Sequence, residues 1–113
     1  MNINEEQLDN HVVKINLSGR MDIEGVGQIE TKFAGMIASP RMAIIVDMSA
    51  VPYMSSIGIR ALLMNAKAVT KRGGKYVILK PEANVKNVLV TSGIDQLIPI
   101  HDDLDAAIAS VAA

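Results

Sequence analysis

Asp47-Met48-Ser49-Ala50-Val51-Pro52-Tyr53-Met54-Ser55-Ser56-Ile57-Gly58-Ile59-Arg60 is the stretch on which the fold turns. It follows Met42 to Val46, a nearly continuous apolar run of the kind found in a central strand covered on both faces, which stops at Asp47. After the loop from Ser49 to Met54, the residues Ile59, Leu62, Leu63, Ala66 and Val69 recur at helical spacing. Ser55 or Ser56 is placed to cap this helix, Lys71 and Arg72 suit its C-terminal dipole, and Gly73-Gly74 ends it. A buried strand therefore passes through a serine pair into an amphipathic helix. Asp47 is expected to accept bonds from loop N–H groups near Ser49 in an Asx-type turn.

Toward the N-terminus, Val13, Ile15 and Leu17 alternate with Lys14 and Asn16, the period of a strand with one wet face, and Met1 to Glu6 is placed to pair with it. Ser18 and Gly19 break this strand. Asp22 then caps a helix whose apolar side is Val26, Ile29, Phe33, Met36 and Ile37, ended by Ser39-Pro40. Toward the C-terminus follow a strand at Tyr76 to Leu79 and a short helix opened by Pro81 that carries Val85, Val88 and Leu89. Beyond Ser92-Gly93 come a brief apolar piece, Leu97 to Ile100, and a last helix capped by Asp102 or Asp103, with Leu104, Ala107, Ile108 and Val111 on one side. The order predicts one α/β domain over residues 1–113, a mixed sheet of four to five strands with about four helices packed on it.

Composition removes several function classes. Of the 113 residues, 50% are hydrophobic but 3% aromatic, so the core is built from aliphatic side chains and methionine. Few rings and a net charge of -1 argue against a nucleic-acid groove. The absence of cysteine removes disulfides, thiolate metal sites and a cysteine nucleophile, and fits the cytoplasm. No run approaches the ~20 apolar residues of a membrane span, so no membrane insertion is expected. No serine-hydrolase elbow accompanies His11, and His101-Asp102-Asp103 lacks the donors and glycine of a calcium loop. No catalytic residue, metal or bound cofactor is expected. Lys67, Lys71, Arg72 and Lys75 form a basic strip explained by the helix end and by solvation, to which no ligand is assigned.

The serine pair has a chemistry of its own. Hydroxyls, free N–H groups and the positive dipole end at a helix start tolerate an anion. Phosphorylation there adds about -1.5 to -2 charges while leaving the fold intact, which suits a binding switch on a nearly neutral domain.

The motif Asp-Met-Ser-x-Val-x-Tyr-Met-Ser-Ser-x-Gly-Ile-x-x-Leu, beginning at Asp47, resembles the signature of the STAS domain, the fold of bacterial anti-sigma factor antagonists. Ser18-Gly19-Arg20-Met21-Asp22, Gly73-Gly74-Lys75 and Ser92-Gly93-Ile94 resemble further turns of that family, so the resemblance covers most of the chain. It implies that Ser56, two residues before Gly58, is the phosphoacceptor. Ser55 is the alternative, because it stands where the family often has aspartate, while Ile57 stands where a second Ser or Thr often follows. The resemblance also implies a partner interface of Asp22, Met54, Ser55, Gly58 and Ile59. The implied partners are an anti-sigma factor with serine kinase activity, to which ATP and Mg²⁺ belong, and a metal-dependent serine/threonine phosphatase. In the implied cycle the unphosphorylated antagonist binds the kinase and frees the sigma factor, and phosphorylation reverses it. Two other readings keep the fold: a scaffold subunit of a stressosome or lipid-transport complex with no phosphate cycle, and an anion-binding module using the N–H groups around Ser56 to Gly58.

Overall fold

A computed structural model describes residues 1–8 and 11–112. Five strands stand in sequence order across one sheet: β1 (Asn2–Gln7), β2 (Val12–Ser18), β3 (Ala43–Ala50), β4 (Lys75–Leu79) and β5 (Ile100–His101). β1 pairs antiparallel with β2, and every later pair is parallel. The parallel pairs need crossovers, supplied by α1 (Ile23–Met36), α2 (Ser56–Lys71) and α3 (Ala83–Thr91), while α4 (Leu104–Ala112) follows β5.

Alternation along the strands divides the core into two layers. Val13, Ile15 and Leu17 of β2, Ile44, Val46 and Met48 of β3, and Tyr76 and Ile78 of β4 meet Val26, Ile29 and Phe33 of α1, Leu62, Ala66 and Val69 of α2, and Val85 and Leu89 of α3. On the opposite face Val12, Ile45, Val77 and Leu79 pack against Ala107 and Val111 of α4. The strand-side residues past α4's reach are polar. There Lys14 lies between Glu6, at 3.4 Å, and Asp47, at 3.3 Å, and Asn16 bonds Asn4 and Glu6.

Several boundaries differ from those expected. β3 does not stop at Asp47 but runs to Ala50, because the β2–β3 pairing resumes at Ser18 and Ala50 beyond an irregularity in the register. Asp47 nonetheless makes its turn, accepting from the Ser49 N–H at 2.9 Å and hydroxyl at 2.7 Å. Pro81 precedes α3 without opening it, since the cap position is Glu82. The apolar piece from Leu97 to Ile100 contributes only Ile100 to a strand, after a 3-10 turn at Ile94–Gln96. Of the two candidate caps for α4, Asp103 is used, accepting from the Ala106 N–H at 3.0 Å, while Asp102 pairs with Lys86. Arg72 leaves the expected basic strip and turns inward, donating to the carbonyls of Ile37, Arg41 and Ala68. It joins the C-terminal ends of α1 and α2 to the entry of β3.

Candidate functional site

At the C-terminal edge of the parallel strands, the loop leaving β2 is hydrogen-bonded to the loop leaving β3. Gly19 N–H donates to Ala50 O at 3.0 Å, Met21 N–H to Tyr53 O at 2.9 Å, and Ser55 N–H to Met21 O at 3.0 Å. Met21 and Met54 form an isolated parallel bridge within this zipper. Gly19 makes the turn possible, since its φ of 108° lies where side chains are strained. The backbone leading into α2 is thus fixed by the loop that leads into α1.

Ser55 and Ser56 occupy different environments within this frame. Ser55 stands at the cap position with extended backbone, yet its side chain makes no cap bond. Its hydroxyl donates instead to the Met21 carbonyl at 2.9 Å. This corrects the expectation that the serine pair caps the helix through a hydroxyl: the capping acceptor is the Ser55 carbonyl, bonded by the N–H groups of Gly58 at 3.0 Å and Ile59 at 3.2 Å. Ser56, the first residue of α2, is exposed, and its hydroxyl has no partner among the described residues. Nor do the N–H groups of Ser56 and Ile57 have acceptors there, as expected of a helix start.

Gly58 explains how the turn comes so close to its neighbours. A Cβ at this position would stand 2.7 Å from Met54 Cγ, 3.0 Å from Met21 Cβ and 3.2 Å from the Met21 carbonyl oxygen. Met21 and Met54 are buried beneath it, at 0% and 4% exposure. Met54 and Gly58, expected at a partner interface, therefore lie under the surface and shape it from below. Asp22, Ser55 and Ile59 are partly exposed, and Ser56 is exposed.

Asp22 caps α1, accepting from Gly25 N–H at 2.8 Å, and Arg20 lies 3.5 Å from its other oxygen. The Gly25 bond, opposed by desolvation and helped by Arg20, holds the Asp22 pKa below the usual carboxylate value. The Arg20 guanidinium also sits 4.3 Å from the centre of the Tyr53 ring, a cation–π contact joining the two loops, and Asn84 of α3 donates to Pro52 O at 2.7 Å. Sequence reasoning missed both cross-loop contacts and the role of Met21, since nothing local marks a residue as the acceptor of a bond from 34 positions away. Beside the tip, Ile23 at 76% exposure and the half-exposed Tyr53 add apolar surface.

The arrangement offers no triad, and among the described residues no group of three or more His, Cys, Asp or Glu could hold a metal ion. A groove of about 400 Å³ between α1 and α2, bordered by Val26, Phe33, Ala61 and Met64, does not include Ser56. No helix of the described residues is long and apolar enough to cross a membrane. The site's chemistry is that of an exposed hydroxyl at a helix N-terminus on a hydrogen-bonded loop pair.

The STAS domain family's sequence profile matches residues 2–107, and the chain belongs to that family. Among curated proteins it is similar to BtrV of Bordetella bronchiseptica, named as a candidate anti-sigma factor antagonist, with 24% identity over 110 residues that cover 97% of this chain and 94% of the relative. Its fold matches an anti-sigma factor antagonist from Mycobacterium paratuberculosis with a TM-score of 0.88 at 22% identity, covering 99% of this chain and 94% of that one. It also matches the Bacillus cell fate determinant SpoIIAA in its phosphorylated form, with a TM-score of 0.72 at 23% identity over 96% and 97% of the two chains. SpoIIAA is described as an anti-sigma factor antagonist in the structure of its unphosphorylated form.

Proposed function

We propose that this protein is an anti-sigma factor antagonist that works in the cytoplasm as a phosphorylation-controlled binding switch, with Ser56 as its phosphoacceptor. It is not itself an enzyme. The unphosphorylated chain binds an anti-sigma factor that is also a serine kinase and so frees the sigma factor. Phosphate transfer from the kinase's ATP to Ser56 Oγ releases the complex, and a serine/threonine phosphatase resets it.

The observation that carries this reading is the contrast between the two serines. The Ser55 hydroxyl is spent on the Met21 carbonyl, whereas Ser56 is exposed with its hydroxyl free among the described residues. A kinase reaches Ser56 without unfolding the loop, and the dianion formed there meets two N–H groups and the dipole of α2. The fold survives the modification while the docking face changes charge. A partner surface without compensating donors must then desolvate a phosphate, which disfavours docking by a few kcal/mol, or about 100-fold in affinity. Similarity to SpoIIAA, solved in unphosphorylated and phosphorylated forms, supports control by phosphorylation.

Asp22, Ser55 and Ile59 form the partner-facing surface around Ser56 in this reading, with Met54 and Gly58 as the packing beneath. Incubation with the cognate kinase and ATP, followed by intact-mass and fragment-ion measurement, tests it. One added phosphate on Ser56 is expected. Phosphate on Ser55, or none on the wild-type chain while the kinase modifies a control substrate, overturns it.

A further inference from the structure

The solvent-facing stripe of α2 carries more than Ser56. Its exposed residues are Ser56, Arg60, Met64, Lys67, Ala68, Thr70 and Lys71, the spacing of one helical face. The helix contains three cations, Arg60, Lys67 and Lys71, and no carboxylate. Arg60, one turn beyond Ser56, is exposed and has no ion pair or side-chain hydrogen bond among the described residues. Arg20, the cation of the neighbouring loop, is by contrast held against Asp22 and the Tyr53 ring.

Residues four apart on a helix are neighbours, with Cβ atoms ~6 Å apart. Helical side chains lean toward the N-terminus and cover the turn before their own, so an arginine at position 60 reaches back over position 56. The order, anion first and cation four residues later, is the favourable one for such a pair and agrees with the helix dipole. A guanidinium suits a phosphate because it donates two parallel N–H bonds.

We propose that Arg60 is the intramolecular counter-ion of phosphorylated Ser56, so that phosphorylation both adds an anion to the docking face and withdraws a cation from it. This inference rests on Ser56 as the phosphoacceptor. It gives the switch a second component: before phosphorylation Arg60 is free for an acidic group on the partner, and afterwards it is occupied by its own chain.

The test uses the full chain with phosphoserine incorporated at position 56 during translation, which makes it independent of any kinase. Titration followed by phosphorus NMR reads the second ionisation of the phosphate. A guanidinium at hand lowers that pKa, so wild type is expected about 0.3 of a unit below Arg60→Gln in low salt, with the gap narrowing as salt rises. Arg60→Lys is expected to keep part of the shift, as a point charge without the planar fork. Equal values in wild type and Arg60→Gln at low salt overturn the proposal. Failure of the switch itself has a different readout, equal partner affinity of the phosphorylated and unphosphorylated chains.

Discussion

Ser55 gives both its backbone N–H and its hydroxyl to a single acceptor, the carbonyl of Met21, at 3.0 and 2.9 Å. This pair of bonds fixes the entry to α2 and separates two adjacent serines into a structural one and a free one. Ser55→Ala removes one neutral bond while the carbonyl keeps the other, so a loss of about 1 kcal/mol is expected. Ser56→Ala touches nothing in the fold and is expected to stay within about 0.5 kcal/mol of wild type. Urea unfolding of the two variants checks the difference, and equal destabilisation would contradict it.

Gly58→Ala presses a methyl group against Met54 and against the less yielding backbone of Met21. A loss of about 1–3 kcal/mol is expected, with disturbance of amide signals in residues 19–22 as well as in α2. Heteronuclear NMR and urea unfolding measure both. A variant as stable as wild type would show that the two loops are less closely packed than the distances imply.

The architecture was readable because it is written in local periods. Alternation at Val13, Ile15 and Leu17, and helical spacing from Val26 to Phe33 and from Ile59 to Val69, give the elements, while their order gives the mixed sheet. The distinction between Ser55 and Ser56 was not readable, since both are plausible caps and what divides them is a carbonyl 34 positions earlier. Burial of Met54 likewise depends on a close approach that only the folded loops create. Arg72 looked like a dipole-satisfying surface cation, and its inward turn answers carbonyls left open at the end of α1 and the start of β3. Arg60 was different: its spacing from Ser56 was present in the sequence, and the exposed stripe of α2 gave that spacing a meaning.

Arg72→Ala is expected to cost about 1.5–3 kcal/mol, because a charged donor is lost from the part-buried Ile37 and Arg41 carbonyls. Arg72→Lys recovers only part of this, since one ammonium group does not reproduce the guanidinium fork. Thermal unfolding of the two variants gives the ranking; full rescue by lysine would assign the effect to charge alone.

Acid sensitivity is expected to centre on the sheet's polar face. Burial alone would raise the Asp47 pKa, but bonds from the Ser49 N–H and hydroxyl, together with Lys14, outweigh it and hold the value below that of an ordinary aspartate. Asn16 first and Lys14 second do the same for Glu6. A carboxylate whose folded pKa is depressed contributes stability that is present above its unfolded pKa, about 3.9 for aspartate, and lost as pH falls through the folded value. Wild type should therefore lose stability as pH drops below about 4, and Asp47→Asn should be less stable at neutral pH by about 1 kcal/mol with a shallower acid decline. Urea midpoints at pH 7, 5, 4 and 3 are the measurement. Parallel declines in wild type and variant would remove Asp47 from the account.

The most direct test of the switch is calorimetric titration of the cognate anti-sigma factor kinase with the chain unphosphorylated and with phosphoserine at position 56. The account predicts tight binding by the first and affinity lower by about 100-fold or more for the second. Equal affinities for the two forms would contradict it.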